Sequence, residues 1–83
     1  MIDRDIEARV RQVMSNLFSM DLIDIGPDSS IDTIEDWDSL QHINLIMSLE
    51  QEFGVHIDVE DAAEMVSFTS ICDTLEGYLE GTE

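Results

Sequence analysis

The stretch Asp36-Trp37-Asp38-Ser39-Leu40-Gln41-His42-Ile43-Asn44-Leu45-Ile46-Met47-Ser48-Leu49-Glu50-Gln51-Glu52-Phe53-Gly54 decides the fold. It reads as one capped helix that begins at Asp38 and ends near Phe53. Asp38 has the short acceptor side chain that an N-cap needs, and Gln41 three positions on makes a capping-box-like pair. Gly54 suits the left-handed position beyond the last turn, with Val55 next to close the end hydrophobically. Leu45, Leu49 and Phe53, with Ile46 beside them, recur at the spacing of a core-facing stripe. Leu40, Ile43 and Met47 form a second stripe, displaced around the helix. One stripe suffices for a core, so the second either widens the buried face or is an exposed docking surface. Periodicity leaves both open, broad burial being the commoner outcome in small bundles.

Toward the N-terminus, Ile6, Val10, Val13 and Leu17 predict a first helix over roughly residues 4 to 19, with Asp3 and Asp5 placed to cap or favour its start. Between the two helices runs a long loop, Asp21 to Trp37, broken by Gly26-Pro27 and the Asp28-Ser29-Ser30 cluster. A loop that long in a small domain is functional or pinned by its own apolar residues, and Leu22, Ile23, Ile25, Ile31 and Ile34 are available to pin it. Toward the C-terminus, Val55-His56-Ile57 reads as extended. Asp58 is placed to cap a short third helix through about Met65. Ser67 is placed to cap the last, whose face carries Phe68, Ile71, Cys72, Leu75 and Leu79. The expected fold is all-α: three main helices plus one short one, packed as a single domain over residues 1–83.

Composition narrows the function. The 83 residues can bury a modest core but not a deep active site, and a 43% apolar fraction is enough to fold. No run of 18 or more apolar residues and no basic leader is visible, so neither a membrane span nor a signal peptide is expected. Cys72, the single cysteine, has no partner for a disulfide or a thiolate metal site, which fits a reducing, cytoplasmic setting. Twenty acids against three arginines give a net charge of −17, and from Gln12 to Glu83 there is no Lys or Arg at all. Such a surface repels phosphate backbones and excludes nucleic acid as a partner. It either steers the chain toward basic patches on other proteins or simply keeps it soluble.

Asp38-Ser39-Leu40 sets a hydroxyl in the first turn of a helix, where free N–H groups and the positive end of the helix dipole favour an anionic substituent such as a phosphate ester. A catalytic serine is less credible, because His42 lies one turn away but a bundle this small offers no oxyanion arrangement. The tripeptide, with the Leu45-to-Glu52 run and its Phe53-Gly54-Val55-His56-Ile57 ending, closely resembles the acyl carrier proteins, and the similarity extends over almost the whole chain. The resemblance implies 4′-phosphopantetheine, transferred from coenzyme A by a phosphopantetheinyl transferase onto Ser39, with Asp38 and Leu40 as supporting motif positions. It further implies a non-catalytic monomeric carrier whose Leu40, Ile43 and Met47, with Gln41 and Asn44, face acyl-loading and acyl-processing enzymes through basic docking patches. Trp37 stands where fatty-acid carriers usually have a small residue, and Gln41 and Asn44 stand where acids are common. A specialised polyketide, modified-lipid or related pathway is therefore as well supported as fatty-acid synthesis. Aminoacyl or peptidyl carriage is the nearest alternative, and an unmodified acidic helical adaptor is the rival from another class.

Other patterns carry less. Asp28, Ser30, Asp32 and Asp36 mimic a calcium loop, but Thr33 sits where the turn wants Gly and Ser39 where a bidentate Glu belongs. His42 and His56 are separated by a helix, so no metal site is expected and both read as surface or interface residues. Cys72 reads as core, and Trp37 as a loop anchor beside the motif. Crowding −17 onto one small domain costs stability through self-repulsion. The melting temperature should therefore rise as salt shortens the Debye length to about 10 Å near 0.1 M, or as divalent ions are added. A melting temperature that stays flat or falls across a salt series contradicts this.

Overall fold

The computed structural model describes residues 4–80. Helix α1 spans Arg4–Phe18, α2 Ser39–Phe53, α3 Val59–Glu64 and α4 Phe68–Glu80, with a single 3₁₀ turn at Leu22–Asp24 inside the long loop. The architecture is the expected all-α bundle with a long first connection, and the 3₁₀ turn is an addition to it. The only strand-like feature among the described residues is an isolated bridge between Ser30 and Ser67. Of the acids expected at the start of α1, Asp5 lies in its first turn, whereas Asp3 lies outside the described residues.

In α1 the buried stripe is Ile6, Val10, Met14 and Phe18, while Val13 and Leu17 are only partly covered. The stripe thus runs in steps of four, on a face adjacent to that expected from Val13 and Leu17. The helix ends with Ser19 in the left-handed region at φ 56° and Met20 N–H donating to the Ser15 carbonyl at 3.1 Å. A left-handed residue closes helices well, though the position favours glycine. Arg9, near the start of α1, bonds Glu52 near the end of α2, and Phe18, at the end of α1, meets Trp37 just before α2. The two helices therefore run antiparallel.

Leu45, Leu49 and Phe53 of α2 are buried, with Leu45 and Leu49 fully so. Gly54 closes the helix at φ 66° as expected, donating to the Glu50 carbonyl at 2.9 Å. The α4 face is also confirmed: Phe68, Ile71, Cys72 and Leu75 are buried and Leu79 packs at the edge. Ser67 caps α4, its hydroxyl accepting from Ser70 N–H at 3.1 Å. Asp58 takes the N-cap position of α3 without a side-chain bond, so the capping expected there fails. Its own N–H donates instead to the Tyr78 hydroxyl at 3.0 Å.

The long loop is pinned by fewer residues than the sequence offers. Ile25, Ile34 and Trp37 are buried, but Leu22, Ile31 and especially Ile23, at 91% exposure, are not. Backbone pairing supplies the rest. Ile31 N–H donates to Val66 O, and Phe68 N–H to Ser29 O, both at 2.9 Å, tying the loop to the start of α4. Buried Ser29 is satisfied because its hydroxyl accepts from Gly26 N–H at 3.0 Å.

The two stripes of α2 should respond differently to truncation. Leu49→Ala opens a cavity in a fully buried site and should cost about 2–5 kcal/mol, whereas Met47→Ala should stay within about 0.5 kcal/mol of wild type. Urea unfolding checks both, and equal losses would mean that the second stripe also supports the core.

Candidate functional site at the start of helix α2

Asp38 is extended, with φ −105° and ψ −173°, and its Oδ1 accepts from Gln41 N–H at 2.9 Å. The capping box is only half formed. Gln41 does not reach back to Asp38; its Nε2 donates to the Leu17 carbonyl at 3.4 Å and its Oε1 accepts from Asn44 Nδ2 at 2.8 Å. Gln41 and Asn44 thus form a polar pair, half-buried, that ties α2 to the end of α1.

Ser39 follows as the first residue of α2, and it is exposed. Among the described residues, the N–H groups of Ser39 and Leu40 have no acceptor. Two free donors and the positive end of a fifteen-residue helix meet beside the hydroxyl, an environment that fits a phosphate ester. The neighbouring carboxylate of Asp38 is turned onto its own helix, toward Gln41 N–H.

Trp37 is the loop anchor that the sequence led us to expect. It is 2% exposed and tilts against Phe18 with ring centroids 5.5 Å apart. His42, expected as a surface or interface residue, instead has its ring bonded on both sides within the domain. It is half-buried and stacked on Trp37, whose Nε1–H donates to His42 Nδ1 at 3.0 Å. Because Nδ1 accepts, the ring proton lies on Nε2, which donates to the Ala62 carbonyl of α3 at 2.7 Å. Both ring nitrogens are engaged, so His42 does not serve Ser39 as a general base. No sequence pattern marks this bridge, since Trp37, His42 and Ala62 come together only through the packing of α3.

The second stripe of α2 is exposed: Leu40 at 67%, Ile43 at 57% and Met47 at 53%. Val59 at the start of α3, 87% exposed, extends the patch and has no signal in the sequence pattern. A shallow groove of about 320 Å³ lies between α2 and α3, lined by Ile43, Ile46, Met47, Ile57, Val59 and Ala62.

The remaining candidates lie elsewhere. His56 is solvent-exposed, 3.5 Å from Glu50 Oε2. No cluster of metal-ligating side chains occurs among the described residues. Around the calcium-like loop, Ser30 and Thr33 bond the backbone within the turn. Cys72 is buried, and burial pushes its thiol up to about 12, which leaves it protonated and inert at neutral pH. No described helix is long and apolar enough to cross a membrane.

The helical bundle exposes Ser39 at a helix start, beside an apolar patch, an arrangement that fits a carrier domain. The family model described as "Phosphopantetheine attachment site" matches residues 8–75. Acyl carrier protein 2 of Pseudomonas aeruginosa is 38% identical over 72 residues, covering 87% of this chain and 91% of that protein. Acyl carrier proteins of Desulforapulum autotrophicum and Thermosynechococcus vestitus are 35% and 32% identical, covering 75% and 88% of this chain and 82% and 90% of their own lengths. The chain belongs to the acyl carrier protein family, and its cofactor is covalently attached 4′-phosphopantetheine.

Proposed function

We propose that this chain carries acyl groups on phosphopantetheine attached to Ser39, and that it serves a specialised acyl pathway rather than general fatty-acid synthesis. The exposed hydroxyl of Ser39 beside two free N–H groups carries the first part of the reading. Once attached, the group supplies a flexible arm ending in a thiol, which holds acyl cargo as a thioester. The chain's own residues do the rest. The helix start favours the phosphate, and Leu40, Ile43, Met47 and Val59 offer enzymes an apolar footing. The surrounding acids attract basic patches on the transferase and on acyl-loading and acyl-processing enzymes. The carrier has no catalytic role of its own in this scheme.

The second part rests on Gln41 and Asn44. They bond each other and the Leu17 carbonyl, presenting amides where carboxylates would pair with a partner's Lys or Arg. Exposed pairs contribute about 0.2–1 kcal/mol each, so the loss of two weakens docking several-fold without abolishing it.

Two experiments follow. Incubation with coenzyme A and a broad-specificity phosphopantetheinyl transferase should add one group, read by intact mass, and Ser39→Ala should fold normally and add none. A labelled alanine variant, or an unlabelled wild type, refutes the carrier reading at Ser39. For pathway, the holo protein should serve a housekeeping malonyl-transfer or ketoacyl enzyme poorly, and Gln41→Glu with Asn44→Glu should improve it several-fold. The new acids stand three apart on one helix, a like-charge arrangement that costs a few tenths of a kcal/mol, so activity is compared below the melting range of both. Wild-type activity equal to that of a housekeeping carrier, unmoved by the two substitutions, returns this chain to general fatty-acid synthesis.

A further inference from the structure

The two residues immediately before Ser39 are both held by His42, through different atoms. The His42 backbone N–H donates to the Asp38 carbonyl at 2.8 Å, and its ring Nδ1 accepts from the Trp37 indole at 3.0 Å. The opposite ring nitrogen holds α3 through the Ala62 carbonyl at 2.7 Å. Helix α3 contributes no buried residue of its own. It hangs between Ile57 and Met65, which are buried at its two ends, and two polar pins. One pin is His42 on the α2 side. The other is Tyr78 on the α4 side, which donates to Asp61 and accepts from Asp58 N–H. The hydroxyl bond to Asp61 raises the pKa of Tyr78, so this pin stays protonated at neutral pH.

We propose that His42 is a positioning residue for transfer onto Ser39: its ring locks the Trp37–Ser39 turn to α3, so that the serine hydroxyl is presented in one orientation. The chemistry requires a side chain that accepts at one end and donates at the other about an imidazole's width away, because a buried indole N–H and an α3 carbonyl must both be satisfied. Glutamine meets that requirement, with its amide oxygen toward Trp37 and its NH₂ toward Ala62. Leucine fills similar space and meets neither end. Trp37→Phe removes the donor alone, keeping an aromatic ring against Phe18.

The proposal rests on Ser39 as the attachment site for its kinetic readout, but not for its structural one. Trp37 is the single tryptophan, so its emission and its indole N–H resonance report the lock directly. In His42→Leu the indole N–H should exchange faster, as should the amides of Ser39, Leu40 and α3, while the amides of α1 and α4 hold. His42→Gln should restore wild-type protection. In transfer assays the kcat for labelling His42→Leu should fall roughly tenfold with KM little changed, the signature of misplacement rather than lost docking. Met47→Ala should raise KM instead. His42→Gln and Trp37→Phe should bracket the effect, the first near wild type and the second near leucine. If leucine and glutamine behave alike, or if α3 and the Ser39 turn keep their protection in His42→Leu, the lock does not exist. A wild-type chain that takes no label removes Ser39 as the attachment site, and the exchange comparison then decides the lock by itself. Should His42→Leu fail to fold, Trp37→Phe against His42→Gln gives the same contrast.

Discussion

The fold depends on a seam of side chains with almost no exposed surface: Val10 and Met14 from α1, Leu45 and Leu49 from α2, Met65 after α3, and Ile71 and Leu75 from α4. Every helix adds to it or is flanked by it, and the long loop joins through Ile25, Ile34 and Trp37. Burying side chains of this size contributes about 1.5–3 kcal/mol each before entropy is counted. A chain carrying −17 needs that seam to offset its self-repulsion. Its described arginine ion pairs, Arg9 with Asp5 and with Glu52, are few and solvent-facing, and such pairs contribute about 0–1 kcal/mol each.

The arginines show how the charge is arranged. Arg9 pairs with Glu52 at 2.8 Å and lies 4.4 Å over the ring of Phe53, so it clips the start of α1 to the end of α2. Arg11 donates to the Ile25 carbonyl at 2.8 Å and sits 4.9 Å over Phe68, so it clips the loop to α4. Both cations are spent inside the molecule, at sites away from Ser39. The α2 start is left among acids and amides, and among the described residues a basic partner surface meets no competing positive charge there.

How much of this was legible follows from the range of the interactions. The α2 cap, Gly54, the Ser67 cap and the core faces of α2 and α4 were readable because each is a local rule acting within a turn or two. Met14 and Phe18 were missed because the α1 stripe runs in steps of four, which a pattern through Val13 and Leu17 obscures. The exposure of Leu40, Ile43 and Met47 was undecidable from periodicity, since both stripes fit a helix equally well, and the family resemblance had to favour docking. His42 was misread for a different reason. Its partners lie five residues before and twenty residues after it, and a half-buried histidine satisfied by an indole and a carbonyl leaves no spacing to detect. Ile23 runs the other way: it was expected to pin the loop, but the backbone bonds of Ile31 and Phe68 pin it instead, and the 3₁₀ turn leaves that side chain outside.

The exposed patch and the extreme charge, separate puzzles in the sequence, answer each other in the structure. Leu40, Ile43, Met47 and Val59 together make an uncovered apolar surface of the kind that drives self-association when nothing opposes it. On the docking reading proposed above, a carrier cannot bury that surface, because its partners must reach it and Ser39 lies at its edge. Nor, on that reading, can it shrink the patch without weakening the footing it offers partners. Net charge offers the remaining solution. Two copies approaching patch to patch also bring two acidic surfaces together, with no described cation near either patch to offset the repulsion. A partner with a basic rim gains from the same field. On the same reading, solubility and partner choice are one physical effect seen from two sides, the acids selecting what touches the apolar patch.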